Sequence, residues 1–412
     1  MKKDIKVSVL CISYNHVDTI RKAIESIISQ RTSFEYEIIV HDDSSTDGTE
    51  DILRDYESRN IPNLKIVYER QNQYSRGQLN NIIFKLVRKS QGCYLALCEG
   101  DDYWIDYNKL QIQFDYMEKH KECVMTAHNG IWVGNRQHDI VPANGFEEEK
   151  DLSVEEIIRH KRGCFPTASI MVRKEHYYLE PPFDGLSIGD WPLQLQCIDR
   201  GDIHYFDRIM SVYNYEMNNS WSSRMRTSSK MKIEHSLEMI DFLQRLNAYW
   251  KYRYDRDILN AMEMYAVEAL RSIDKNLNPM KELERVYNET DKKYVSAFSY
   301  VLKKSEERAE EKQRIREFVE CNNKIYIMGC GEIAKELYEL LLSMKIDIEG
   351  FVVSNNQKVA LEYEGKKVNK LSQIKGETDK VGILVGIHPN IKTEIIMSLE
   401  ENRIRNYYWP SI

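Results

Sequence analysis

Over residues 6–108, short and almost continuously apolar runs alternate with stretches whose apolar residues recur at helical spacing, and this alternation constrains the fold more than any other feature. "KVSVLCI", "YEIIVHDD", "LKIVYER" and "CYLALCEG" predict four strands. Between them, Ile20, Ala23, Ile24, Ile27 and Ile28 fall on one helical face with Asp18 placed to cap it. "STDGTEDILRDYES" offers turn residues and then a helix burying Ile52, Leu53 and Tyr56, and "GQLNNIIFKLVRKS" predicts a third helix. Strands apolar on both faces need helices over both faces, which is the α/β arrangement of a parallel sheet wrapped by helices. Such sheets bind ligands beyond the carboxyl ends of their strands. The polar clusters of this segment stand there: Ser13-Tyr14-Asn15, Asp42-Asp43, and Glu99-Gly100-Asp101-Asp102.

The last cluster raises a chemical question, because adjacent carboxylates at the end of a buried strand repel one another and lose solvation. A loop acid pair in water, an N-cap for the helix after Asp106, or a divalent metal would each answer it. Net charge is -7 with a sequence pI near 5.9, so no global basic field points to nucleic acid or anionic lipid. The opening "MKKDIKVSVLCISYN" has a short apolar run broken by Ser8 and no small-residue cleavage site, unlike a signal peptide. No apolar run is long enough to span a bilayer. The eight cysteines are scattered without CxxC or metal-ligand spacing, which fits reduced, buried thiols. The reading is of a soluble cytoplasmic protein, with attachment at the inner membrane surface left open.

Residues 225–320 differ in kind: charge is dense, glycine is absent and the pattern is helical. A second alternating unit opens at Lys324 with "NKIYIMGCGEIAKELYELLLSMK", a strand, glycine turn and helix, followed by the strands of "IEGFVVSNN" and "KVGILVGIHPN". Gly329, Gly331 and Ala334 fit the dinucleotide pattern G-x-G-x-x-A, but Ser354 and Asn355 stand where an acid for the ribose belongs. Bound NAD, or a tight turn with close helix–strand packing and no ligand, are both open.

"VSVLCISYN", "EIIVHDDSSTDGT", "GCYLALCEGDDYW" and "GLSIGDWPLQLQ" together resemble the family 2 glycosyltransferases with the GT-A fold, in order and spacing over roughly the first 220 residues. The resemblance implies a GT-A domain over 1–224, a helical extension over 225–320 and a Rossmann-like α/β domain over 321–412. It implies a metal-dependent, inverting transfer of a sugar from a UDP donor to a hydroxyl of a glycan, glycolipid or glycoprotein in bacterial surface glycan synthesis. Asp43 would accept the base N–H and Tyr14 would line the base pocket, with Ser13 and Asn15 beside it. Asp101 would face the ribose, and Asp102 would bind Mn2+ or Mg2+ at the diphosphate. Asp190 would be the general base, and Trp191 either walls the acceptor site or sits in the core. The family's Arg and His near "YNYEMNNSWSSRMR" are replaced by Asn214 and Glu216, leaving Arg76, Arg224 and Arg226 as candidates for diphosphate charge. Glu99 carries no assigned role. A non-catalytic nucleotide-sugar-binding subunit is the rival reading; homo-oligomerisation is compatible with both.

Overall fold

The computed structural model describes residues 4–411 except 134–139, 143–145, 147, 161–164, 215–223, 226, 274–278, 290–291, 358–359, 375–380 and 388–390. The chain divides into two compact units, 1–301 and 302–412.

The N-terminal unit is built on one mixed sheet. Strand β1 (Ile5–Ser13) pairs in parallel with β2 (Glu35–Asp42), and β2 with β3 (Leu64–Tyr68). On its other side β1 pairs in parallel with β4 (Tyr94–Leu97). Helices α1 (Ile20–Ile28), α2 (Thr49–Ser58) and α3 (Leu79–Lys89) connect these strands. The apolar face of α1 buries Ile20, Ala23, Ile24 and Ile27 completely, the three isoleucines in one cluster with Val7, Val9, Cys11, Ile38 and Val40. Each such isoleucine contributes about 1.5–3 kcal/mol relative to exposure, so the helical spacing read from the sequence is a packing instruction.

Beyond β4 the sheet departs from the simple parallel pattern. Short β5 (Tyr103–Trp104) precedes α4 (Lys109–Lys119) and β6 (Cys123–Val133). Strand β7 (Ile140–Pro142) pairs with β6, and β8 (Lys150–Asp151) leads to α5 (Val154–Arg159). Then β9 (Met171–Arg173) inserts antiparallel between β4 and β6. Helix α6 (Asp190–Arg200) follows, and β10 (Asp202–Asn214) runs parallel to β6. The order across the sheet is β3-β2-β1-β4-β9-β6-β10-β5. A three-residue strand arriving after a long excursion carries no alternation of its own, so only tertiary pairing reveals β9. Helices Ser229–Tyr249, Asp255–Arg271 and Pro279–Glu289 belong to this unit, the first two packed along each other.

The C-terminal unit has a six-stranded sheet. Its strands are β11 (Lys324–Met328), β12 (Gly350–Val353), β13 (Glu362–Tyr363), β14 (Lys366–Lys370), β15 (Val381–Val385) and β16 (Tyr407–Tyr408). They lie in the order β13-β14-β12-β11-β15-β16, parallel except for the β13–β14 hairpin. Gly329 has φ of 112°, and a Cβ there would stand 2.8 Å from the Gly386 carbonyl oxygen. Two backbones therefore meet where only glycine fits. A Cβ on Gly331 would meet nothing within 4 Å, so packing does not explain that glycine. Among the described residues no helix is long and apolar enough to cross a membrane.

Candidate active site

The strand register brings the polar clusters together. Ser13 stands opposite Asp42, and Leu10 opposite Leu97, so β1, β2 and β4 release their chains along one edge. The Asp43 amide donates to the Ser13 carbonyl at 2.9 Å, and the Gly100 amide to the Ile12 carbonyl at 2.9 Å. Asn15, at φ of 56°, donates its N–H to Ser45 Oγ at 2.9 Å and accepts the Thr46 N–H on Oδ1 at 2.8 Å. Its side chain therefore laces two loops; asparagine tolerates this left-handed backbone better than most residues. Tyr14 beside it is 43% exposed, leaving its ring open to a ligand.

The two aspartates after β2 have separate tasks. Asp42 is buried and accepts the Ser45 N–H at 3.1 Å and hydroxyl at 2.5 Å, a local turn. Asp43 is also buried, but it reaches across: Oδ1 accepts the Gln73 N–H at 2.7 Å and Oδ2 the Tyr74 N–H at 2.9 Å. It therefore anchors the short turn Tyr74–Arg76, on which Arg76 is exposed. Each of its oxygens keeps a second lone pair for a further donor.

The carboxylate turn after β4 is tightly constrained. The Asp102 amide donates to the Glu99 carbonyl at 3.1 Å, and Thr19 Oγ1 donates to the Gly100 carbonyl at 2.9 Å. A Cβ on Gly100 would lie 2.7 Å from His16 Nδ1 and 3.0 Å from Ser13 Oγ. That glycine lets the acids approach β1. Asn214, at the end of β10, donates its backbone N–H to Asp102 Oδ1 at 3.1 Å and its side-chain amide to the Asp101 carbonyl. The other oxygen, Asp102 Oδ2, is buried with no hydrogen-bond partner.

Glu99, Asp101 and Asp102 can each offer one oxygen, all within 4.8 Å of one another. Burial first, then Asp101 and Asp190, push the Glu99 carboxyl up to about 8. Burial, Asp101 and Glu99 likewise hold the Asp102 carboxyl well above its ordinary range, against the Asn214 N–H. Three hard oxygens close together, one of them orphaned in the interior, with the charge on Glu99 and Asp102 opposed by burial and by neighbouring acids, fit a divalent cation. His16 Nε2 stands 3.7 Å from Asp101 Oδ2.

Asp190 begins α6 and accepts the Trp191 N–H on Oδ1 at 2.8 Å. Burial raises its carboxyl, partly offset by the Trp191 and Asp190 N–H groups and by His235. Its charge acts on Glu99, so the two acids share one electrostatic neighbourhood although 91 residues separate them (190 − 99). Trp191 does not wall that neighbourhood. It is fully buried, its indole N–H donates to the Ile157 carbonyl at 2.9 Å, and its ring meets Phe242 edge-on at 6.1 Å. Of the two readings of Trp191, an acceptor wall or a core residue, its burial and its partners accord with the core. Arg224 is exposed, while Arg226 and Glu216 lie outside the described residues.

Sequence reasoning missed the parts played by Glu99, Asn214 and Tyr74. Glu99 was visible as a third acid, but adjacency alone does not show which way a side chain turns. Asn214 stood out as a departure from the family pattern; its two donors to the acid turn follow only from the pairing of β5 with β10.

Residues 8–171, within the N-terminal unit, match the family model described as Glycosyl transferase family 2. An uncharacterized protein of Mycobacterium tuberculosis is 31% identical over 219 residues, which are 53% of this chain and 61% of that protein. The chain thus spans less than two thirds of that relative. The Escherichia coli enzyme named UDP-Glc:alpha-D-GlcNAc-diphosphoundecaprenol beta-1,3-glucosyltransferase WfaP is 27% identical over 197 residues, 47% of this chain and 71% of that one. Among solved structures, S. aureus TarS 1-349 in complex with UDP-GlcNAc aligns with 65% of this chain and 83% of its own at 18% identity and a TM-score of 0.44.

Proposed function

We propose that the protein is a metal-dependent, inverting glycosyltransferase that moves a hexose from a UDP donor to a hydroxyl of a glycan or lipid-linked glycan. The observation that carries the reading is the trio Glu99, Asp101 and Asp102 at the carboxyl edge, with Asp190 in the same electrostatic neighbourhood and one trio oxygen buried without a partner. The activity in the Escherichia coli relative's name, transfer from UDP-Glc, supports a UDP-linked hexose as donor. Asp43 and the open ring of Tyr14 are suited to a nucleobase, with Ser13 and Asn15 shaping the loop, and Arg76 is available to diphosphate charge. Asp102 would hold Mn2+ or Mg2+ with Asp101 and Glu99 at hand, and the cation would stabilise the departing diphosphate as a Lewis acid. Asp190, with its carboxyl raised by burial, would take the acceptor hydroxyl's proton as that oxygen attacks opposite the leaving group. One base and one direct displacement give inversion. The helices of 225–301 extend this 1–224 domain, and the unit 302–412, whose Rossmann-like part is 321–412, carries no transfer chemistry and serves assembly or acceptor positioning.

Asp102→Asn tests the reading, since it removes a charged ligand and keeps the shape. UDP with Mn2+ should raise the melting point of the wild type, and the variant should lose both that shift and UDP release from UDP-glucose or UDP-GlcNAc. Full activity of the variant, or of the wild type in excess EDTA, refutes the metal assignment.

A further inference from the structure

Asp190 sits at the end of a loop with little hold of its own. The stretch 184–189 contains Gly185, at φ of 74° with open space where its Cβ would be, and Gly189. Gly189 is the N-cap of α6 and contributes no side-chain cap; the helix start is held locally by the Leu193 N–H on the Gly189 carbonyl at 3.1 Å and the Trp191 N–H on Asp190 Oδ1 at 2.8 Å, neither of which reaches back to 184–188. A base that must meet a hydroxyl within hydrogen-bond reach needs better definition than such a backbone provides.

The hold comes from two distant elements that converge on Ser187. Glu238, on the helix Ser229–Tyr249, is 8% exposed. Its Oε2 accepts the Ser187 N–H at 3.1 Å and also takes the Ser187 hydroxyl, while its Oε1 accepts the Tyr294 hydroxyl at 3.4 Å. Burial opposes the charge on Glu238, but His235 and the two Ser187 donors outweigh it and keep the carboxyl below its ordinary range. Hydrogen bonds to an ionised carboxylate are roughly twice as strong as neutral ones. From the other side, the Tyr74 hydroxyl donates to the Ser187 carbonyl at 3.1 Å, and the Tyr74 amide donates to Asp43 at 2.9 Å. Tyr74 is half-buried; burial raises its hydroxyl above the ordinary range, and the charges of Arg224, Glu238, Glu99 and Asp190 also act on it. All three backbone and side-chain polar groups of Ser187 are thus held, by residues 113 and 51 positions away.

We infer that Tyr74 and Glu238 are positioning residues that clamp the Ser187 loop and so fix Asp190, with Tyr74 tying that loop to Asp43. The inference rests on Asp190 being the base. It gives the helix Ser229–Tyr249 a part in the transfer site, and it gives the Asp43 turn a second function besides meeting a nucleobase.

The test uses the full chain. Tyr74→Phe keeps the ring and deletes one donor; Glu238→Ala deletes the clamp, and Glu238→Gln restores an acceptor for the Ser187 groups. Without ligand, amide exchange over 186–191 should quicken about five- to tenfold in Tyr74→Phe, the scale of one lost hydrogen bond. It should quicken more in Glu238→Ala and return towards wild type in Glu238→Gln, with exchange in α1 unchanged throughout. With UDP-glucose and Mn2+, kcat for UDP release should fall about tenfold in Tyr74→Phe while UDP affinity stays within about twofold. Unchanged exchange over 186–191 in Tyr74→Phe and Glu238→Gln overturns the clamp even if Glu238→Ala fails to fold. Quickened exchange with normal kcat overturns the positioning role. A wild type that releases no UDP, together with quickened exchange in the variants, faults the transfer reading and leaves the clamp supported.

Discussion

Glu99→Gln separates the electrostatics of the acid turn from its shape, and the structure sets the size of the effect. The Glu99 carboxyl rises from 4.5 to about 8 because burial, Asp101 and Asp190 disfavour its charge. Between those values the folded chain keeps a proton that the unfolded chain has lost, so the wild type should lose stability as pH rises through this window. The window is about 3.5 units wide, and at about 1.36 kcal/mol per unit the full loss approaches 5 kcal/mol. Sharing of charge among three acids brings the expected figure to about 3–5 kcal/mol. Glutamine has no proton to lose. In EDTA, therefore, Glu99→Gln should melt close to the wild type at pH 5 and several degrees above it at pH 8.5. Mn2+ should narrow the gap at pH 8.5: the wild type gains about 2.7 kcal/mol at a hundredfold excess over its dissociation constant, while the variant, short of one oxygen charge, gains less. The measurement is the thermal midpoint of the N-terminal unit at both pH values, with and without metal. Parallel pH profiles for the two proteins in EDTA would refute the burial argument. Equal stabilisation by Mn2+ would refute a place for Glu99 near the cation.

Asp190→Asn should lower kcat by about 10²–10⁴-fold, the usual scale of general-base assistance, with UDP and metal affinity unchanged in calorimetry and the wild-type product inverted by NMR. Gly100→Ala forces a methyl to within 3.0 Å of both His16 Nδ1 and Ser13 Oγ; it should destabilise by about 1–3 kcal/mol and abolish the UDP–Mn2+ melting shift, whereas a preserved shift would mean the turn tolerates displacement. Trp191→Phe should cost about 1–3 kcal/mol through the bereft Ile157 carbonyl and leave the Michaelis constant for donor unchanged; a large rise in that constant would return Trp191 to the site.

The sequence alone determined the N-terminal α/β layering, because strands apolar on both faces and helices with one apolar stripe have few ways to bury their surfaces together. It also determined that Asp43 and the 101–102 pair stand at one edge, since polar residues that follow buried strands in a parallel sheet must emerge at the carboxyl end. Those relations are local in the chain or fixed by period, and period is what a sequence displays. Tertiary structure decided what depends on register and on distant partners. The antiparallel entry of β9, the pairing of β5 with β10 that sets Asn214 on Asp102, and the seating of Trp191 against Phe242 all join residues far apart in sequence. The same holds for Asp43: its type and place suit a ligand group, and only the fold shows its carboxylate anchoring the Tyr74 turn as well. A side chain's type states which contacts it can make, but the choice among them is settled by which neighbour the folded backbone brings within hydrogen-bond distance.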